Sequence, residues 1–292
     1  VAFLMLIAIS LIIFYLMWLM PGDALTAFYD EDSRNLLGLN RSFGQSYLSW
    51  LTALLSGNFG FSYLYHQPIS AIIGPFLRLS LVLQSLPFFL AFLLAIFLAA
   101  YQGYNLNKPQ QKVLSLLMLL IAGIPVMILA LALQYLFVFR WPLFPLYSVA
   151  AAFNQSIWPS LILPAFIIFI RYLSLFSRYL KEHYITVFRQ PYSEMVHFKG
   201  GGTTAIFIHS LAPLSAAFIQ LFMLNLPSLL SGSLVLETIF GLPGLGRLFY
   251  EAVIGRDSAL VLFLAAIFAG VLLLASIIGD LLAALIDKRI AY

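Results

Sequence analysis

Lys199 is followed by Gly200, Gly201, Gly202, Thr203 and Thr204, residue types that can cradle a phosphate. A phosphate loop needs its lysine after the glycines, in the order G-x-x-x-x-G-K-[ST]. Backbone N–H groups then surround the phosphates and the ammonium reaches them. Here the lysine comes first and no other stretch supplies that order, which argues against a nucleotide site in this chain. Hydrolytic chemistry has no better footing. His66, His183, His197 and His209 form no H-E-x-x-H pair, no G-x-S-x-G elbow is present, and cysteine is absent. Each histidine is read as structural or solvated, and neither a metal site nor a cofactor is expected in the chain.

The elements that hold these residues are apolar. The 292 residues are 63% hydrophobic and 9% charged, with a mean hydropathy of +1.01, whereas a soluble domain carries roughly 25% charged residues. The chain reads as a single all-α polytopic membrane bundle. Six segments are long enough to span: about Val1 to Met20, Leu79 to Tyr101, Val113 to Phe139, Ile157 to Ser177, Ala205 to Leu230 and Ala259 to Ile286. Residues 22–78 are expected to be an extracytoplasmic segment with short helices on the membrane surface. No signal-peptide cleavage pattern is evident. The opening lacks the basic residues that usually precede a first span, so a trimmed or unusual N-terminus is expected. With both termini cytoplasmic, nine Lys and Arg fall inside and six outside, the orientation that the positive-inside rule favours. The net charge of +4 bears on orientation, and no nucleic-acid partner is expected.

Residues 181–204 form a polar cytoplasmic loop in this scheme. Pro191 suits a first helical turn, Glu194 suits the positive end of the helix dipole, and Gly200, Gly201 and Gly202 stop the helix. Met195, Val196 and Phe198 give it apolar patches beside Glu194, His197 and Lys199. Such a helix suits docking in another protein's groove. An interfacial loop packed on its own bundle fits the same residues.

On the other side, residues 231–258 contain Gly241, Pro243, Gly244 and Gly246, which break any helix. Bent backbone at membrane depth must be buried in protein or line a cavity. The block is expected to form part of an outer gate, pinned by Glu237, Arg256 and Asp257, with Arg247 in the same stretch; a purely structural loop is the alternative. Gln84, Ser85, Gln134, Gln220 and Asn225 are the polar residues inside spans, hence candidates for a solute path. Hydrogen bonding between helices explains them as well. Asp280, at the inner end of the last span, is expected to be structural. No acid stands in mid-membrane, which argues against transport of a bare metal cation.

These stretches resemble the oligopeptide/dipeptide/nickel permease family of ABC importers. Glu194 stands six residues before Gly200, as in the family's E-A-A-x-x-x-G signature, and Val187, Arg189, Tyr192 and Lys199-Gly200 fall on its fixed offsets. "LMPGDAL" (19–25), "GNFGFSYLYHQPI" (57–69), "LETIFGLPGLGRLFYEAVIGRDSALV" (236–261) and "DLLAALIDKRI" (280–290) are similar to further family blocks in the same order. Met195 and Val196 replace the signature's alanines, and Pro213 stands near the place of a later family proline.

The resemblance implies that residues 192–201 couple to an ATPase and that the chain has no ATPase site of its own. It implies half of a heterodimeric inner-membrane pore made with a second homologous permease subunit. Two ATPase subunits holding ATP and Mg would power it, an extracytoplasmic solute-binding protein would feed it, and lipid would surround it. Peptides or peptide-like solutes are the expected cargo, with nickel or a metal chelate as the alternative. An ATP-independent secondary transporter or channel is the rival class, and it would call for an inverted repeat and discontinuous helices at matching positions. Neither is evident in the sequence. An intramembrane enzyme would need a catalytic pair within the spans, and there is none.

Overall fold

The computed structural model describes residues 7–8, 10–15, 43–106, 108–147, 156–190, 202–231 and 233–286. Helix α1 (Phe43–Leu55) leads to a two-stranded antiparallel ribbon, β1 (Phe61–Ser62) and β2 (Gln67–Pro68). Then come α2 (Ile69–Tyr104), α3 (Pro109–Gly123) and α4 (Val126–Gln134), the last running on as a π-turn over Tyr135–Arg140. α5 (Trp158–Phe188), α6 (Thr203–Asn225), α7 (Ser228–Ser231), α8 (Leu234–Ile239), α9 (Leu245–Ile254) and α10 (Ser258–Ile286) complete the described chain.

Among the described residues, four helices are long and apolar enough to cross a membrane: Ile69–Tyr104, Trp158–Phe188, Ala205–Asn225 and Ser258–Leu285. A fifth crossing is available if α3 and α4 count as one broken span. The first expected span falls mostly outside the described residues. Its helical stretch 10–15 packs on α1, where Ser10 and Tyr47 share a 2.7 Å hydrogen bond and Phe14 meets Tyr47 edge-on and Trp50 at a tilt.

α2 and α5 form the most extensive helix pair. Ala91, Ala95 and Ala99 recur every fourth residue on α2, all fully buried, and such small side chains let two backbones approach closely. Phe176, Leu180 and Tyr184 of α5 fill the same core. Gly103 continues the stripe, and a methyl group there would stand 2.9 Å from Tyr184 Cβ.

Three boundaries differ from the sequence expectation. α2 starts at Ile69 rather than near Leu79, because Ile69 and Ile72 are buried against Leu245, Leu248 and Leu260. α5 runs to Phe188 rather than stopping near Ser177, because Leu180, Tyr184 and Val187 keep one face in the core. The single span expected over Val113 to Phe139 is broken, with α3 and α4 bent by 93°. Pro125 has no N–H to donate and disfavours helical backbone at the residue before it, and Ile124 is extended (φ −73°, ψ 123°). Among the described residues this is one broken span, with no second break at a matching position.

Candidate functional site

The loop block 233–257 is organised by two fully buried carboxylates, Glu237 and Asp257. Ser80 Oγ on α2 donates to Glu237 Oε1 at 2.9 Å and accepts the Leu245 N–H at 2.8 Å. The Arg247 N–H donates to Glu237 Oε2 at 2.9 Å. Glu237 therefore caps the N-terminus of α9 from a distance, where free N–H groups and the helix dipole favour negative charge. Burial pushes the Glu237 carboxyl above the usual range, opposed by these hydrogen bonds.

The glycines make room for that carboxylate. A methyl group on Gly244 would collide with the Glu237 carboxyl group, and one on Gly246 would lie 2.7 Å from the Leu234 nitrogen. Gly241 takes the left-handed backbone (φ 68°) that lets the chain turn between α8 and α9.

Asp257 has the same role at the next helix. Its Oδ1 accepts the Leu260 N–H at 3.1 Å, an N-cap for α10. Its Oδ2 accepts the Ser62 hydroxyl at 2.5 Å and the Leu64 N–H at 3.2 Å, tying the ribbon to the block. Arg247 Nε pairs with Glu251 Oε1 at 2.7 Å. Tyr65 donates to Glu251 Oε2 at 2.6 Å, and burial together with that carboxylate raises the Tyr65 phenol above its ordinary range. Arg256 is exposed and sits at φ 53°. It shapes the turn before Asp257 through its backbone, whose N–H reaches Val253 O at 3.2 Å. Among the expected pins, the structure thus brings Glu237 and Asp257 into buried contacts and leaves the Arg256 side chain outside them.

Beside this block lies an open cavity of about 950 Å³ between α2, α3 and α5. Gln84 and Gln102 mark it along α2, and eighteen residues of helix make about 27 Å, close to the thickness of a hydrocarbon core. α5 contributes Arg171, Leu175, Arg178 and Glu182 at spacings of four, three and four, one stripe along a helix.

Hydrogen bonds from the same helix tie α3 alongside. Arg171 Nη1 donates to Ile124 O at 3.0 Å, Ser174 Oγ to Met118 O at 2.5 Å, and Lys181 Nζ to Ser115 Oγ at 3.2 Å. Arg171 thereby meets a carbonyl left over where α3 ends, the end of a helix that favours a cation. Tyr172 hydrogen-bonds Ser228 at the cavity wall.

The family described as "Binding-protein-dependent transport system inner membrane component" matches residues 91–292. This chain belongs to that family. The permease is 28% identical to the oligopeptide transport system permease protein AppB of Bacillus subtilis, over 98% of this chain and 95% of the relative. It is also 28% identical to the oligopeptide permease OppB of Haemophilus influenzae, covering 96% and 92%. The glutathione transport system permease GsiC of Salmonella choleraesuis is likewise 28% identical, covering 98% and 95%. The chain is an ABC transporter permease of the peptide and oligopeptide group, a multi-pass membrane component rather than an ATPase.

Of the path residues expected in this permease, only Gln84 lines the cavity. Gln134 instead donates to Ile239 O at 2.9 Å and anchors α8. Asn225 bonds its own helix at Leu221 O, 2.8 Å away. Ser85 and Gln220 are half-buried and away from the cavity lining. The expected coupling residues Tyr192, Glu194, Met195, Val196, His197, Phe198, Lys199, Gly200 and Gly201 lie outside the described residues. The cavity's cations were read from sequence only as charges that set orientation. The four-three-four spacing of Arg171, Leu175, Arg178 and Glu182 was the available signal. Among the described residues, no group of three or more His, Asp or Glu is placed to hold a metal ion.

Proposed function

We propose that this permease forms one half of the translocation path of an ATP-driven importer for peptides or peptide-like solutes. A second homologous permease completes the path, two ATPase subunits binding ATP and Mg drive it, and an extracytoplasmic solute-binding protein delivers the solute. Both termini face the cytoplasm in this reading. Residues 191–202 form the cytoplasmic handle on which the ATPase acts, and the 231–258 block is part of the outer gate.

The observation that supports the reading most is the family match over residues 91–292, together with relatives that align over nearly their whole length and are named as oligopeptide and glutathione permeases. The fold is compatible with the mechanical part. The α2–α5 pair is bound by a continuous small-residue stripe, so force applied at the 181–204 end can travel to the loop block as rigid-body movement.

The test uses the reconstituted complex with its ATPase and binding-protein partners. Glu194→Arg and Gly200→Pro are expected to abolish ATP-driven uptake while the subunits still co-purify. Normal uptake in both variants would contradict the coupling assignment. Solute flux through the purified permease alone, without ATP, would contradict the importer reading altogether.

A further inference from the structure

The cavity along α5 is rich in donors and poor in partners for them. Arg171 lies two residues from the midpoint of a 31-residue membrane-spanning helix. An ionisable side chain within such a helix faces a bundle interior or a water-filled space, which makes it a candidate for a solute pathway. Its Nη1 donates to Ile124 O at 3.0 Å and to Ala122 O at 3.5 Å, and no acceptor for Nε or Nη2 is present among the described residues. Arg178 stands two turns along on the same stripe, and neither arginine has a carboxylate partner among the described residues.

A second observation points to a ligand independently of the arginines. Gln84 and Gln102, at 2% and 1% exposure, line the same cavity, and the side-chain Nε2 of each has no hydrogen-bond partner among the described residues. Buried polar groups are nearly always paired, and an orphan calls for an explanation. N–H groups of this kind need acceptor oxygens, and the solute that offers them is one with backbone carbonyls and a carboxylate.

We propose that Arg171, with Arg178 below it, is the seat for a carboxylate of the transported solute, and that Gln84 donates to its amide carbonyls. The idea rests on the importer reading and adds the chemistry that the path selects. Arg171 and Arg178 are separated by about 10 Å along the helix, the reach of three extended residues. An extended tripeptide covers that distance, so its one carboxylate can meet Arg171 while its backbone carbonyls come within reach of Arg178, and its C-terminal amide loses the charge that Arg171 recognises.

The chain has no cysteine, so Leu175→Cys, which lies between the two arginines in the lining, puts a single reporter thiol in this subunit. In the detergent-solubilised complex without ATP, an anionic methanethiosulfonate reagent is expected to label it at least about fivefold faster than a cationic one, as a nearby positive charge dictates. Triglycine is expected to slow that labelling more than triglycine amide does. Adding Arg171→Gln is expected to lower the reagent preference at least about twofold and to erase the difference between the two peptides. Equal rates for the two reagents, or equal protection by the two peptides, would overturn the proposal. So would a thiol that stays shielded until the second permease is removed, since the stripe would then be an interface between subunits. Labelling needs no ATP hydrolysis, so the two ideas fail separately. A complex that transports without charge preference refutes only the carboxylate seat; one that shows the preference without ATP-driven uptake refutes only the importer reading.

Discussion

Ser80 and Gln84 lie one turn apart on the same face of α2, and both are buried. Ser80 uses its hydroxyl twice, giving to Glu237 and taking from Leu245, whereas Gln84 Nε2 has no partner among the described residues. The two residues open onto two kinds of polar region. In the loop block every carboxylate oxygen of Glu237 and Asp257 accepts a hydrogen bond and each acid caps a helix. In the cavity, two amide nitrogens, Gln84 Nε2 and Gln102 Nε2, have no hydrogen-bond partner among the described residues. A satisfied network fixes one geometry, while an unsatisfied one keeps free energy in reserve for whatever enters. Substitutions in the block should therefore act on stability, and substitutions in the cavity on selectivity.

The largest effect is expected from Asp257→Ala. It orphans the Ser62 hydroxyl and the N–H groups of Leu64 and Leu260, at a cost of roughly 3 kcal/mol from the lost cap and unpaired buried donors. A fall in the thermal unfolding midpoint of the detergent-solubilised complex is the readout. An unchanged midpoint would mean that the ribbon and α10 are held by something else.

Gly244→Ala comes next. The added methyl group meets the Glu237 carboxyl group, and the overlap is expected to cost roughly 2 kcal/mol, as overpacking usually does. The same scan reads it. Combining it with Glu237→Ala, which clears the space, should give less than the sum of the two losses; simple additivity would place the glycine's importance elsewhere.

How much of this was readable beforehand depends on range along the chain. The block announced itself because Gly241, Pro243, Gly244 and Gly246 cluster within six residues, and an aspartate directly before α10 is a local cap signal. That Glu237 serves α9 through Ser80 was not readable, since the partner stands 157 positions away. The cavity was missed for a simpler reason. Ending the fourth span near Ser177 put Arg178 beyond the span and Glu182 in the 181–204 loop, and the helical stripe they share with Arg171 disappeared. The break at Ile124 was written in Pro125, but the continuous apolar run on either side outweighed it. The nine expected coupling residues all lie outside the described segments, so their reading still stands on the 191–202 motif alone.

Glu237→Gln should act more weakly than either change above, by roughly 1 kcal/mol at neutral pH, because the amide keeps one acceptor but sets its own N–H₂ against a donor. Its pH dependence is more telling than its size. Burial raises the Glu237 carboxyl above its unfolded value, so the folded state binds its proton more tightly than the unfolded state does. Its contribution is then most favourable at acid pH and declines as pH rises from the ordinary carboxylate range towards the folded value. The glutamine variant lacks that slope. The stability gap between the two proteins should narrow as pH rises through this window, and a gap that widens would mean that hydrogen bonding outweighs burial.

Arg171→Gln is expected to change stability least. Its visible protein contact is to carbonyls at the end of α3, and one such bond contributes about 1 kcal/mol net. Ser174 and Lys181 hold the same two helices together without it. An unfolding midpoint close to the parent's, alongside altered uptake of free-acid peptides, is the outcome that separates the two regions. A large loss of stability would erase the distinction, because Arg171 would then be a strut like Glu237, and the cavity a gap in packing rather than a path.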